Sequence, residues 1–209
     1  MPDDASFEVV RLDGGGTTVV LEYSTEQFLT VHYWGRELGR TDGDALRALV
    51  LANRPQHRVG DVDQPRPVSL LPTQAEGWTG TPAFEAHRAG RCFSHRFKPT
   101  AIEADGSQLI AWHRDDDTAV QLRLRLEVSP SGLIRQQLTV ENLDTTPLEL
   151  TRLDATLPIP DHCQELLDLS GRWMRGAGAS ATPADQRPLH PGEPQGAIRS
   201  RRLTAADRR

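Results

Sequence analysis

Hydrophobic and polar positions alternate along most of this chain. "FEVVRL" and "TTVVLEYS" flank "DGGG" at 13–16. Two β-branched runs around an Asp-Gly-rich turn predict a β-hairpin. "FLTVHYWGREL", residues 28–38, again has strand composition. The period then changes. In "TDGDALRALVLANRP" Leu46, Leu49 and Val50 recur at helical spacing, Thr41 or Asp42 can cap the start, and Pro55 stops it. One short amphipathic helix is expected there, followed by a polar, proline-bearing loop over 56–67.

The second half is repetitive. "CFSHRFKPTAIEA", "QLIAWHR", "AVQLRLRLEVS", "GLIRQQLTVEN" and "LELTRLDATLPIP" are separated by "DGS", "DDD", "SPSG" and "LDTTP". Each run predicts a strand and each break a turn. In the third run Val120, Leu122, Leu124, Leu126 and Val128 fall on one face, and Gln121, Arg123, Arg125 and Glu127 on the other. A period of two this regular marks a half-buried antiparallel strand. Several strands joined by short turns predict an all-β sandwich with one short helix. The segment 176–209 is rich in Gly, Ala, Pro and Arg and nearly free of large apolar residues. It cannot bury enough surface to offset its ordering entropy, so residues 1–175 are expected to form the domain and 176–209 a disordered tail.

Composition refines this picture. The 209 residues suffice for one domain with a substantial core. The net charge of −5 argues against a nucleic-acid partner, although the tail is basic, with six arginines and three acids. No apolar run could span a bilayer, and "MPDDASFEVV" lacks the basic start and apolar stretch of a signal peptide, so a cytoplasmic location is expected. Lys98 is the sole lysine, a usage that fits a GC-rich bacterial genome. Cys92 and Cys163 lie far apart and form no disulfide or Cys-x-x-Cys pattern; both are expected to be buried thiols.

The familiar chemistries find little support. "DGGG" sits between strands rather than opening a helix, so it is a turn and no phosphate loop. The histidines at 32, 57, 87, 95, 113, 162 and 190 show no metal-ligand spacing; His87, Cys92 and His95 come nearest. No metal or cofactor is therefore expected. No Gly-x-Ser-x-Gly elbow occurs. Asp115 to Asp117 are adjacent on one loop and cannot face each other across a sugar pocket as glycoside cleavage requires. The tryptophans remain. Trp34 and Trp112 lie in strand patterns and are expected in the core. Trp78 stands in "LLPTQAEGWTGTPAFEAHRAG", between Gly77 and Gly80, with His87 and Arg88 beyond it. An exposed ring near an imidazole and a guanidinium suits sugar stacking plus hydroxyl hydrogen bonds, so Trp78, His87 and Arg88 are the candidate substrate-binding residues. A ring plugging the end of the sandwich fits the residues equally well.

"VHYWGREL", "LLPTQAEGWTGTPAFEAHRAG", "LTVENLDTTPLELTRLDATLPIP" and "LSGRWMR", in that order, resemble the N-terminal domain of α-galactosidases of glycoside hydrolase family 36. The resemblance runs from about residue 6 to Arg175. It implies a β-supersandwich of the galactose-mutarotase type preceding a catalytic (β/α)8 barrel, and retaining hydrolysis of terminal α-galactosides by the whole enzyme. It places the catalytic aspartates on the barrel, which alone needs roughly 250 residues. No residue here inherits a catalytic role, and the chain is expected to be inactive alone. The expected partners are the missing barrel domain, a galactoside, and further copies of the chain through the patch the barrel would cover. The composition after Arg175 departs from the resemblance and matches a GC-rich strand read out of frame, so a truncated stub is the expectation. A freestanding carbohydrate-binding sandwich and a ligand-free oligomerisation module are the alternatives.

Overall fold

The computed structural model describes residues 7–25, 27–55, 67–160, 163, 165–172 and 175–183. Strands β1 (Phe7–Gly14), β2 (Thr17–Ser24) and β3 (Thr30–Arg36) form a three-stranded antiparallel sheet in sequential order. The central strand β2 is buried on both faces. Val19 and Leu21 enter the main core, while Val20 joins Phe7 and Val50 in a second cluster. Helix α1 (Gly43–Asn53) covers that second face. Asp42 caps it, its Oδ1 accepting from the Ala45 N–H at 2.8 Å, which satisfies one of the free donors of the first turn.

Glu22 of β2 ties helix to sheet. It accepts from His32 Nε2 at 2.7 Å and from the guanidinium of Arg54 just beyond the helix. The Arg47 and Arg54 guanidinium carbons lie 4.0 and 4.3 Å from the centroid of the Phe7 ring, an arrangement that favours the cations electrostatically.

The second sheet runs β5 (Lys98–Ala104), β6 (Gln108–Asp115), β7 (Val120–Val128) and β8 (Ile134–Asn142), again sequential and antiparallel. Val120, Leu122, Leu124, Leu126 and Val128 are buried as their period demands, and Arg123 and Arg125 are exposed. These inner residues meet Leu12, Val19 and Leu21 of the first sheet, so the chain is a β-sandwich with one helix outside it. The two hairpin turns interlock at one end. A Cβ on Gly15, whose φ is +53°, would lie 2.2 Å from the Gly132 nitrogen, so only glycine admits this approach.

A short pair, β4 (Phe84–His87) with β9 (Glu149–Leu153), closes the side of the core. Strands β10 (Glu165–Arg172) and β11 (Arg175–Pro183) form a separate antiparallel hairpin.

Several expectations change here. The strand expected from Cys92 begins only at Lys98. Ala89 and Cys92 have φ of +48° and +57°, a conformation outside any strand. The strand expected over 148–160 ends at Leu153, ahead of the donor-less Pro158 and Pro160. Strand β11 crosses the compositional boundary at 175: its small residues pair through their backbones, which needs no large side chain. Residues 184–209, most of the segment read as a tail, lie outside the described residues, as do 56–66 and Trp173.

Trp112 is not in the core. It is half-buried on the outer face of β6, opposite Arg123, because the inward positions of that strand are Leu109, Ala111, His113 and Asp115. Cys92 is exposed and Cys163 half-buried, so the expectation that both are buried does not hold. No helix among the described residues is long and apolar enough to cross a membrane.

Candidate functional site

The loop between Pro72 and Ala83 is held from below. Leu70 and Leu71 are fully buried and anchor its entry. The Ala83 N–H donates to the Pro72 carbonyl at 2.9 Å and closes its base. Inside it, a 3₁₀ turn at Gln74–Glu76 ends at Gly77, whose φ of +85° is the left-handed conformation such a stop favours. The Glu76 carboxylate accepts from the Phe28 N–H at 3.2 Å and from the Ser69 hydroxyl at 2.8 Å. Glu76 is thus a positioning residue for the loop. Sequence reasoning missed it, because an acid in a polar loop carries no pattern.

Trp78 does not stand clear of this loop. Its ring is half-buried and folds down over Gly80, where a Cβ would lie 2.9 Å from three indole atoms. Its Nε1 donates to the Thr81 carbonyl at 3.0 Å. The polar edge of the indole is therefore satisfied within the loop, and what it offers outward is ring surface.

On either side of Trp78 the loop stems line a surface groove of about 390 Å³, through Thr73 and Gln74 before it and Pro82 after it. Strand β4 supplies the facing wall with Glu85 and His87, and Phe93 stands at the rim. His87 therefore meets the stems of the Trp78 loop across one groove. Its side chain is 35 % exposed and 3.7 Å from Glu149.

Arg88 is brought elsewhere. Its guanidinium donates to the Thr146 carbonyl and hydroxyl, to the Thr118 carbonyl at 2.9 Å and to Asn142 Oδ1 at 2.6 Å. With its donors spent on three segments, Arg88 clamps the β4 turn to the loops after β6 and β8. It does not line the groove.

The groove rests on a buried polar cluster. His95, 1 % exposed at its side chain, bonds the Ala86 carbonyl through Nε2 and Thr118 Oγ1 through Nδ1, both at 3.0 Å. Asp115 accepts from the Thr118 hydroxyl at 2.7 Å and from the Arg96 and Thr118 N–H groups. Burial pushes the Asp115 carboxyl up, but these hydrogen bonds with that of His95 outweigh it and hold it below the usual carboxylate range. Asp115 is therefore a structural acceptor, and Asp116 pairs with Arg114 at the surface. No group of three His, Cys, Asp or Glu residues placed to hold a metal occurs among the described residues.

The description "glycosyl hydrolase family 36 N-terminal domain" fits residues 27–202. The chain belongs to that family. It is 26 % identical over 151 residues to an Escherichia coli α-galactosidase, a match that covers 72 % of this chain and 21 % of that protein. Two solved structures share the fold at 16 % identity. The α-galactosidase of Lactobacillus brevis superposes with a TM-score of 0.68 over 88 % of this chain and 28 % of its own. A family 36 α-galactosidase of Geobacillus stearothermophilus, bound to 1-deoxygalactonojirimycin, does so with a TM-score of 0.66 over 84 % and 28 %. The chain thus spans about a fifth of the curated relative and little more than a quarter of the solved chains. The sandwich expected from the sequence is the fold these structures share.

Proposed function

We propose that this chain is the non-catalytic N-terminal domain of an α-galactosidase and that it has no hydrolytic activity alone. The family match over 27–202, on a sandwich shared with α-galactosidases, is the observation that carries this reading. Hydrolysis of terminal α-galactosides belongs to a catalytic barrel, and the sandwich serves as its packing partner. The Gly77–Trp78 loop edges the sugar pocket of that assembly, and Trp78 shapes the pocket with ring surface and breaks no bond. The Glu76 anchors and the Thr81 hydrogen bond support this role, because they present the indole in one orientation.

The test is hydrolysis of p-nitrophenyl α-galactoside by the purified 209-residue chain. No release above the uncatalysed rate is expected; turnover that scales with chain concentration overturns the reading. The role of Trp78 is tested by the equivalent Trp→Ala change in an intact relative. Unchanged KM and kcat there rule it out.

A further inference from the structure

The groove beside the Trp78 loop carries a second, distinct chemistry. Phe93 is 70 % exposed, a large aromatic ring with almost no packing of its own at the rim of a concave surface. An uncovered ring there offers a flat apolar face to a ligand. The polar groups around it keep hydrogen-bonding capacity to spare. The Gln74 amide is exposed and has no hydrogen-bond partner among the described residues. His87 Nδ1 lies 3.4 Å from the Gly90 nitrogen and 3.7 Å from the Glu149 carboxylate, so Nε2 is the ring nitrogen left to meet a ligand. Thr73 is 4 % exposed, and its Oγ1 has no partner within the protein. Such a buried hydroxyl gains from any oxygen that reaches it.

The charges exclude other ligands. No lysine or arginine lines the groove, so an anion finds no counter-charge. Glu85 in the wall is held by Arg152 at 3.0 Å, and Glu149 lies 3.7 Å from His87, so neither carboxylate stands alone for a cation. A volume of about 390 Å³ sits at the small end of the roughly 300–1,000 Å³ typical of small-ligand sites.

We propose that this groove binds one neutral sugar ring of an oligosaccharide. Phe93 stacks on the C–H face of the ring, and Gln74, His87 and Thr73 take its hydroxyls. The inference deepens the reading of the Trp78 loop as the edge of a sugar pocket and rests on it for the ligand class. It adds a binding surface on the β4 side of that loop.

The test is a titration of the ¹⁵N-labelled 209-residue chain with raffinose, and separately with melibiose, followed by amide shifts. Saturating shifts at Gln74, His87 and Phe93 are expected, with weak affinity in the millimolar range. Phe93→Ala should weaken binding about tenfold, and the isosteric Thr73→Val a few-fold, with all other shifts native-like. The second variant guards against a fold defect in the first. Shifts confined to Trp78–Gly80 would overturn the groove site and leave the loop-edge role intact. Shifts that stay linear to 100 mM sugar, or saturable binding of sulfate in preference to sugar, would overturn the groove site as well.

Discussion

The imidazole of His113 lies stacked on the ring of Phe28, centroids 3.9 Å apart and planes 22° from parallel, with neither ring nitrogen hydrogen-bonded. This residue is fully buried between the sheets. Burial pushes its pKa down from 6.5 to about 3, since the core cannot solvate an imidazolium. The folded protein therefore stays unprotonated there while the unfolded chain takes up a proton below pH 6.5. Stability falls as pH drops from about 6.5 toward 3, at up to about 1.4 kcal/mol per pH unit from this group alone. His113→Leu should flatten that part of a urea-denaturation pH profile. The slope is the proper readout, because it does not depend on how well leucine packs. An unchanged slope between pH 6.5 and 4.5 would show that the imidazole is solvated.

Glu22 acts in a lower window. Burial pushes its carboxyl up, but hydrogen bonds from His32 and Arg54 outweigh this and hold it below the usual glutamate range. Its stabilisation is complete above the unfolded value and is lost as pH falls through the folded one. Glu22→Gln should therefore leave the profile above pH 5 parallel to the parent and flatten it below about 4.5. Measured beside His113→Leu, the two variants divide the acid transition into separate parts.

Arg88 should behave as a clamp. Arg88→Ala leaves the Thr118 carbonyl and Asn142 short of a charged donor, and a cost of about 2 kcal/mol is expected by chemical denaturation. Sugar-induced shifts at Gln74 and Phe93 should survive in the fraction that folds. Loss of those shifts in a variant of parental stability would return Arg88 to the ligand.

Gly80 keeps the Trp78 ring down. In Gly80→Ala the new Cβ meets the indole at 2.9 Å, so the ring must lift and break its bond to Thr81. The Trp78 indole N–H resonance, assigned by its loss in Trp78→Phe, should shift and exchange faster with solvent. Gly15→Ala, by contrast, strikes backbone that cannot yield, and about 2–3 kcal/mol of destabilisation is expected from a thermal melt.

The elements that sequence reasoning found are those whose signal is local. The period-two run of β7, the Asp-Gly turn of the first hairpin and the Asp42 cap each follow from neighbouring residues. Strand β4 carries no local signal, because "FEAH" has four residues and becomes a strand only through β9. Trp78 and His87 were legible as candidates, because an aromatic between glycines and a histidine near it stand out. That Arg88 is a clamp was not legible, since its partners lie at 118, 142 and 146. Trp112 was assigned to the core from strand composition alone; which face it took depended on the strand's register.

The pairing of β4 with β9 also sets an order of assembly. More than sixty residues separate the two strands, and the four strands of the second sheet lie between them in the chain. A chain emerging from the ribosome therefore holds β4 unpaired until β5 to β8 have been made. Local hairpins close early, and contacts of high sequence separation come late. The His87 wall of the groove is thus completed only after the rest of the sandwich exists, and a filled groove reports a finished domain.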